Sequence, residues 1–419
     1  MEATPNVSLP ALAGRSSKIG LALAGGAPQG AVYEIGALRA LDEALGGASL
    51  TDLTMYVGVS SGALLSACLA NGITPAQLCR TLAGAEPGEP PFHADTFLTP
   101  CYRELARGGR DLPGLLGGAL WDYVTHPGEA TILESLTRLV RALPAGLFDN
   151  EPVRRYLEQV FTRQGRTDDF RQLKKPLTVV AAELDSGVAV RFGEPGLDHV
   201  PISLAVQASA ALPGLYPPVE IEGRHYVDGI LLKTLHASVA LEKGADLVIC
   251  INPIVPVDTR GAVEAGVLTR DKLVDYGLPV LLSQALRTLI HSRMGVGMAA
   301  YDTRFPDADV ILLEPEHDDY KMFFTNIFSF SERIQVCSHA YQSTRRNLLA
   351  RYDKLAPIFA RHGLTLRRDV LESPRNLWTG VGAPGARLGT QATESGRVVV
   401  RRLSHALDRL DRLVDRRLA

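Results

Sequence analysis

Residues 55–65, Met-Tyr-Val-Gly-Val-Ser-Ser-Gly-Ala-Leu-Leu, are the stretch around which the chain is organised. Their apolar first half predicts a buried strand, and the small residues that follow predict the start of a helix. The turn between them has the spacing Gly-x-Ser-x-Gly, with Ser60 between Gly58 and Gly62. A serine at a sharp strand-to-helix turn is held with its Oγ exposed, and a Cβ at either glycine would crowd the neighbouring elements. The stretch predicts a nucleophile elbow; a tight turn of small residues is the alternative in a chain with 39 glycines.

The composition is that of a globular protein and gives no sign of a nucleic-acid partner. The chain has 419 residues, of which 46% are hydrophobic and 21% charged, with a formal net charge of -2. Residues 1–17 lack the basic start and apolar run of a signal peptide. No stretch reaches the ~18 uninterrupted apolar residues that a membrane span needs. We therefore expect a cytoplasmic protein, with peripheral contact at a membrane surface left open.

The cysteines are too scattered to form a disulfide framework or a metal site. There are five of them, and no pair has the spacing of metal ligands. They are Cys68, Cys79, Cys101, Cys250 and Cys337. We expect free thiols that pack as small hydrophobic side chains.

A second glycine turn lies nearer the start of the chain, at residues 25–30, Gly-Gly-Ala-Pro-Gln-Gly. It follows an apolar strand pattern at 18–24 and precedes helical spacing at 31–45. Such a turn points backbone N–H groups at one spot and can bind an anion. A phosphate loop would need Lys-Ser/Thr after Gly30, and the glycine spacing does not fit the dinucleotide fingerprint. Two interpretations of residues 25–30 remain: an oxyanion hole or a plain turn.

Strand and helix patterns alternate along the next 250 residues. Apolar runs predict strands at 177–182, 189–192, 223–229, 246–253 and 310–315, and helical spacing is found at 151–161 and 202–211. This alternation predicts a three-layer α/β/α fold with a mostly parallel central sheet. Because sites in such sheets gather at the carboxyl ends of strands, the residues that end these strands are the first candidates for a site.

Three motifs stand in one order: residues 25–30, residues 58–62, and Asp-Gly-Ile at 228–230. With the approach at 208–219, Ala-Ser-Ala-Ala-Leu-Pro-Gly-Leu-Tyr-Pro-Pro-Val, they resemble the patatin-like phospholipase family of serine lipid acyl hydrolases. The resemblance spans about residues 18–253. It is specific because three motifs and a connecting stretch agree together.

The resemblance implies a Ser-Asp dyad without an intervening histidine. Ser60 would attack an ester carbonyl, and Asp228 would accept its proton as general base. Backbone N–H groups of Gly25, Gly26 and Ala27 would form the oxyanion hole, and no metal or organic cofactor is implied. Because the reference pKa of an aspartate is about 3.9, such a dyad needs a partly dry site that raises the basicity of the carboxylate.

Two motifs depart from the family pattern. The first motif usually has a third glycine and a basic residue before its last glycine, Gly30; here Ala27 and Gln29 stand at those positions. Alanine keeps its N–H, whereas the missing basic side chain puts rate or headgroup preference in question. The third motif, Asp228-Gly229, is followed by Ile230 where Gly or Ala is normal. The larger side chain is expected to alter the packing beside the aspartate.

The histidines do not supply a catalytic triad. An α/β-hydrolase would place its histidine after the acid, in a turn that follows a strand. The late histidines instead fall in helical patterns: His291, His339 and His362. His225 and His236 flank Asp228, and we interpret both as structural.

The resemblance and the patterns together give the expected organisation of the chain. We expect a flexible tail at 1–17, a patatin-like catalytic domain at 18–255, a helical extension with a late strand at 256–371, a linker at 372–396 and a basic amphipathic helix at 397–419. Pro- and Gly-rich pieces at 84–146 are typical of a cap or lid over a site and equally of a surface insertion. The extension is mostly helical, from 269 to 293 with a break at 277–279, and from 330 to 362.

The terminal helix places apolar residues on one side and arginines on the other. Docking onto the protein's own body, a short coiled coil and an anionic membrane surface all fit that pattern. For the whole chain, the expected activity is hydrolysis of fatty-acyl esters of phospholipids or lysophospholipids. The alternatives are a soluble esterase or thioesterase, and a lipid-binding or scaffold protein without turnover. The expected partner is a lipid substrate or membrane surface; the oligomeric state is left open.

Overall fold

The computed structural model describes residues 16–90, 96, 99–101, 145–262, 266, 272–319 and 330–382. Four predicted segments lie wholly or mostly outside these ranges: the tail at 1–17, the insertion at 84–146, the linker at 372–396 and the amphipathic helix at 397–419.

The described residues form alternating strands and helices. The strands are β1 Ile19–Leu23, β2 Leu45–Gly46, β3 Met55–Val59, β4 Thr99–Pro100, β5 Phe148–Asp149, β6 Leu177–Glu183, β7 Ala189–Phe192, β8 Val219–Ile221, β9 Arg224–Asp228, β10 Leu247–Ile251, β11 Asp309–Leu313 and β12 Thr365–Leu366. The helices are α1 Ala27–Ala44, α2 Ser61–Ala70, α3 Pro75–Leu82, α4 Glu151–Phe161, α5 Ile202–Ser209, α6 Ala237–Glu242, α7 Leu278–Arg304, α8 Phe330–Ala350, α9 Tyr352–Arg361 and α10 Arg368–Glu372.

The main sheet of the described chain has eight strands in the order β11-β10-β1-β3-β6-β9-β8, with β7 also paired to β6. The five strands from β11 to β6 are parallel to one another. The remaining three, β7, β8 and β9, pair antiparallel. The predicted mostly parallel sheet is confirmed.

Strands β3 and β9 meet end to end along one edge of β6. Val180 pairs with Val59 of β3 and also with β7, and Ala181 pairs with Asp228 of β9 and also with β7. Because β7 occupies one edge of β6, both β3 and β9 must lie along the other. The carboxyl ends of two strands that run in opposite directions therefore come together there, directly after Val59 and at Asp228.

Helices cover both faces of the sheet. Leu21 and Leu23 of β1 point into a large core formed with α1, α2 and α8. The alternate residues, Ala22 and Ala24, point into a smaller core with α6 and with Tyr301 of α7. This period-two alternation sends apolar side chains to both faces, and the three-layer α/β/α architecture follows from it.

The chain after residue 255 takes part in the same body. Strand β11 extends the sheet beside β10. Helix α8 packs along α1, and Gly36 allows the close approach, since a Cβ there would lie 2.3 Å from the carbonyl oxygen of Cys337. The segment thus completes the sheet and one helical layer.

Three helix boundaries differ from the sequence prediction. Helix α1 begins at Ala27 and not at 31, because Pro28 fits the first turn of a helix. Helix α7 begins after Gly277, which has φ +83°, and continues to Arg304 through small residues that weaken the apolar period after 293. The helix predicted at 330–362 is two helices, interrupted at Arg351.

The predicted state of the thiols is confirmed. All five cysteines are free and buried.

Candidate active site

Ser60 lies at a strained turn between β3 and α2. Its backbone has φ 54° and ψ -123°, a left-handed conformation that is uncommon outside glycine. A Cβ at Gly58 would lie 2.5 Å from the Gly62 carbonyl oxygen, and a Cβ at Gly62 would lie 2.4 Å from that of Leu23. The crowding predicted for both motif glycines is confirmed. The elbow is locked between β1 and α2, and Ser60 is only 5% exposed.

Ser209, at the end of α5, holds the elbow in place. The backbone N–H of Ser60 donates to Ser209 Oγ at 2.8 Å, and that hydroxyl donates to the Val180 carbonyl oxygen at 2.6 Å. The side chain is fully buried. Sequence analysis gave Ser209 no role; the only signal was a hydroxyl among small apolar residues in the stretch that leads to Asp228.

Asp228 ends β9 opposite the elbow and is 2% exposed. Its N–H donates to the Ala211 carbonyl oxygen at 3.0 Å. Its carboxyl accepts a hydrogen bond from the Ser60 hydroxyl and another, at 2.9 Å, from the Ile230 N–H. Gly229 is required between them, because a Cβ there would lie 2.5 Å from the Val180 carbonyl oxygen. The structure therefore brings the two predicted catalytic residues into direct contact.

The surroundings make Asp228 a stronger base than a solvated aspartate. Burial raises its pKa to about 7, against the smaller opposing effects of the hydrogen bonds from Ser60 and Ile230. A base with a pKa near the working pH transfers protons most effectively. The dry environment that a two-residue dyad needs is present.

The glycine turn lies against the dyad, with one correction to the predicted oxyanion hole. The N–H of Gly25 donates to the Thr234 carbonyl oxygen at 3.2 Å, so this amide is engaged within the protein. Gly25 is needed for packing, since a Cβ there would lie 2.9 Å from Ser60 Cβ and 3.1 Å from Ile230 Cδ1. Gly26 caps α1 and Ala27 is its first residue, and amides at a helix start have no intrahelical acceptor. The predicted donors are reduced to Gly26 and Ala27.

Ala27, which replaces a glycine of the family motif, lies in a glycine-like conformation. Its φ is +54°, where a Cβ costs roughly 1 kcal/mol. A glycine at position 27 would adopt this conformation without that cost. Gly26 and Gly30 both pack on Pro253. A Cβ added at Gly26 would lie 2.6 Å from Pro253 Cγ, and one added at Gly30 would lie 2.9 Å from the same atom.

Ser60 and Asp228 open into a cavity of about 210 Å³. Most of its wall is apolar. The apolar side chains come from several elements and include Leu64, Val206, Leu212, Ile254, Leu286 and Ile290. The charged residues among the described lining are Asp228 and Arg287. Arg287 comes from α7, and no sequence motif marked it.

No histidine of the described chain lines this cavity. Burial lowers the pKa of His236 to about 4, and His225 lies beside Asp185 at the surface. The late histidines contact other partners: His339 binds Asp319, His362 binds Asp309, and His291 packs against His317. Within the same ranges, no three His, Cys, Asp or Glu side chains come together as a metal site.

Comparison with known proteins identifies the family. The family model described as patatin-like phospholipase matches residues 21–241, more than half of the chain. Uncharacterized NTE family proteins of Mycobacterium tuberculosis and Mycobacterium bovis are 36% identical to it over 83 residues. The matched 83 residues are 20% of this chain and 22% of each relative. The chain thus spans about a fifth of the length of the curated relatives that it matches.

Two solved structures are similar at low sequence identity. VipD from Legionella pneumophila has 16% identity and a TM-score of 0.37, over 80% of this chain and 67% of that one. The type III effector ExoU has 15% identity and a TM-score of 0.34, over 80% of this chain and 53% of that one. The assignment rests on the family model and not on these scores: the chain belongs to the patatin-like phospholipase family.

Proposed function

We propose that this protein is a serine acyl hydrolase that cleaves fatty-acyl esters of phospholipids or lysophospholipids. The observation that carries the proposal is the hydrogen bond from the Ser60 hydroxyl to buried Asp228, whose pKa is raised to about 7. A nucleophile in hydrogen-bond contact with a base of suitable pKa is the minimum apparatus of acyl transfer. Family membership points to the same chemistry.

The geometry suggests the order of steps. Ser60 Oγ attacks the ester carbonyl carbon as Asp228 takes the hydroxyl proton. The tetrahedral oxyanion receives hydrogen bonds from the N–H groups of Gly26 and Ala27, at the positive end of α1. Asp228 then gives its proton to the leaving alcohol, and the acyl group stays on Ser60. A water molecule attacks that acyl-enzyme, with Asp228 again as base, and releases the fatty acid.

The surroundings of the dyad favour a long apolar acyl group. Beside the cavity runs a groove of about 420 Å³ between α7 and the segment 230–235. Ile230, Leu286 and Ile290 line both spaces, so the two adjoin. Burial of each methylene contributes about 0.8 kcal/mol, which supports lipid esters over short soluble ones.

Exposed apolar side chains next to the site favour work at a lipid surface. Leu282, Leu289 and Val296 follow one another on one side of α7 and are 59%, 57% and 73% exposed. Apolar residues in such a row are typical of a helix that lies in a membrane interface. In the part of the chain that the structure describes, no helix combines the length and apolarity needed to cross a bilayer.

The first test is labelling with a fluorophosphonate probe. Wild type and a Ser186→Ala control, which removes an exposed serine, are expected to be labelled, whereas Ser60→Ala is not. Mass spectrometry of the labelled peptide identifies the modified side chain. Equal labelling of Ser60→Ala and wild type would contradict the mechanism.

A second test separates the alternatives. A soluble esterase would hydrolyse a dispersed acyl ester and vesicles at rates that do not depend on lipid aggregation, whereas a lipid-surface enzyme accelerates when vesicles form. If wild type is neither labelled nor active, the lipid-binding protein without turnover becomes the better interpretation.

A further inference from the structure

Arg287 lies in the same cavity as the dyad. It belongs to a row on α7 with Ser283, Leu286 and Ile290, all of which line the cavity. These positions are spaced by three and four residues, so they share one side of the helix. Arg287 as a whole is half-buried. Arg287 therefore borders the same space as Ser60 and Asp228.

The cavity presents this positive charge in apolar surroundings. Burial lowers the pKa of Arg287, yet a guanidinium stays protonated in proteins. A desolvated cation gains more from an anionic partner than a solvated one. The guanidinium has five donors, so it can bind an anion in addition to its contacts within the protein.

Arg287 and Asp228 border the same cavity from different elements. The carboxyl of Asp228 accepts hydrogen bonds from the Ser60 hydroxyl and the Ile230 N–H. Arg287 enters from α7 and borders the space that a substrate would occupy beyond the reacting ester.

We infer that Arg287 binds the phosphate of a phospholipid or lysophospholipid headgroup and selects phosphate-bearing acyl esters over neutral ones. This inference rests on the proposed acyl hydrolase activity. A fatty-acyl ester has no charge of its own at the reacting carbonyl, so the anion must come from the headgroup. Arginine matches phosphate by bidentate hydrogen bonding. Arg287 is thus a specificity-determining residue of the same site.

The test compares two lipids with the same acyl chain, lysophosphatidic acid and monoacylglycerol, both below the concentration at which they aggregate. Wild type is expected to have the higher kcat/KM on lysophosphatidic acid. In Arg287→Gln, the ratio of the two kcat/KM values is expected to fall by about 10- to 100-fold, the value of a lost charge-assisted hydrogen bond. Arg287→Lys keeps the charge and is expected to retain part of the preference.

Arg304→Gln is the matched control. It removes an arginine of the same helix that is exposed, pairs with Glu242 and lines neither the cavity nor the groove. Its ratio is expected to equal that of wild type. Thermal melting of each variant shows whether it is folded. Equal kcat/KM values on the two lipids in wild type, or the same ratio in Arg287→Gln as in wild type, would overturn the inference.

A binding measurement separates this inference from the proposed hydrolysis. Calorimetry with the non-hydrolysable ether analogue of lysophosphatidic acid is expected to show binding to wild type that weakens by about 10- to 100-fold in Arg287→Gln, even if turnover fails. Inorganic phosphate alone is expected to bind much more weakly. If inorganic phosphate binds wild type as tightly as the ether lipid, the site serves a free anion, and the headgroup assignment is wrong.

Discussion

The elbow and α7 meet at the same cavity but are built in opposite ways. Around Ser60 and Asp228, glycines bring backbones so close that an added Cβ would lie 2.4–2.5 Å from a carbonyl oxygen. Along α7, leucines face water, and the helix glycine Gly295 has nothing within 4 Å of an added Cβ. The first region holds Ser60 and Asp228 in a fixed arrangement, and the second leaves open space beside them. Substitutions should therefore have large catalytic effects in one region and mainly lipid-dependent effects in the other.

The largest effect is expected from Asp228→Asn, which removes the base from the fixed region. Turnover should fall by about 1,000-fold or more, since a positioned general base contributes 10²–10⁴-fold. The same variant should be more stable than wild type at pH 8, by about 2–4 kcal/mol. In wild type the pKa of Asp228 is about 7 when folded and about 3.9 when unfolded, so rising pH destabilises the folded state across that interval.

Chemical denaturation at pH 8 and at pH 4 measures this stability difference. At pH 4 the gain should disappear, because wild-type Asp228 is then protonated in the folded state. A variant that is less stable than wild type at pH 8 would show that burial of the carboxylate costs little.

Gly62→Ala should disturb the fixed region through its backbone. The added Cβ would lie 2.4 Å from the Leu23 carbonyl oxygen and 2.5 Å from that of Ala24. We expect a loss of about 1–3 kcal/mol in the free energy of unfolding and about a 100-fold lower kcat/KM from displacement of Ser60.

Gly295→Ala is its control in α7. It should leave turnover unchanged and stabilise the protein by up to about 1 kcal/mol, because alanine favours the helix. Similar effects from the two substitutions would remove the contrast between the regions.

The pH dependence of wild type tests the same base without a mutation. On a neutral, dispersed ester, kcat/KM should rise with an apparent pKa of about 7, because only ionised Asp228 accepts the serine proton. At pH 5 about 1% of the base is ionised, so the rate should be about 100-fold below its plateau. A profile that is flat from pH 5 to pH 8, in protein shown by circular dichroism to stay folded, would exclude this assignment.

The smallest catalytic effect is expected in α7. The double variant Leu282→Gln/Val296→Gln should lower the ratio of vesicle to dispersed-ester activity by about 10-fold, because it removes apolar area from the lipid contact. Stability should change by less than about 0.5 kcal/mol, since both side chains are exposed. Leu184→Gln, at a leucine after β6 that is 48% exposed, should leave the ratio unchanged. An unchanged ratio in the double variant would favour the soluble esterase.

Sequence reasoning predicted the dyad of Ser60 and Asp228 because the requirements of these two positions are local. The glycines beside Ser60 follow from the steric demands of one turn, and the strand ending at Asp228 is visible as an apolar run. It missed Ser209 and Arg287 for a common reason: each acts on the site from a helix whose local pattern is ordinary. It also assigned Gly25 to the oxyanion hole, because the Thr234 carbonyl that takes up its N–H lies more than 200 residues away in the chain.

Fold class, motif order and the two residues of the proposed chemistry are predictable from the amino-acid sequence. They depend on periodicity and on glycine positions, which act over a few residues. The end-to-end meeting of β3 and β9 on β6, and the raised pKa of buried Asp228, become visible in the three-dimensional structure. Both depend on which distant segments pack together, and burial in particular is the sum of contacts from elements that no local pattern connects.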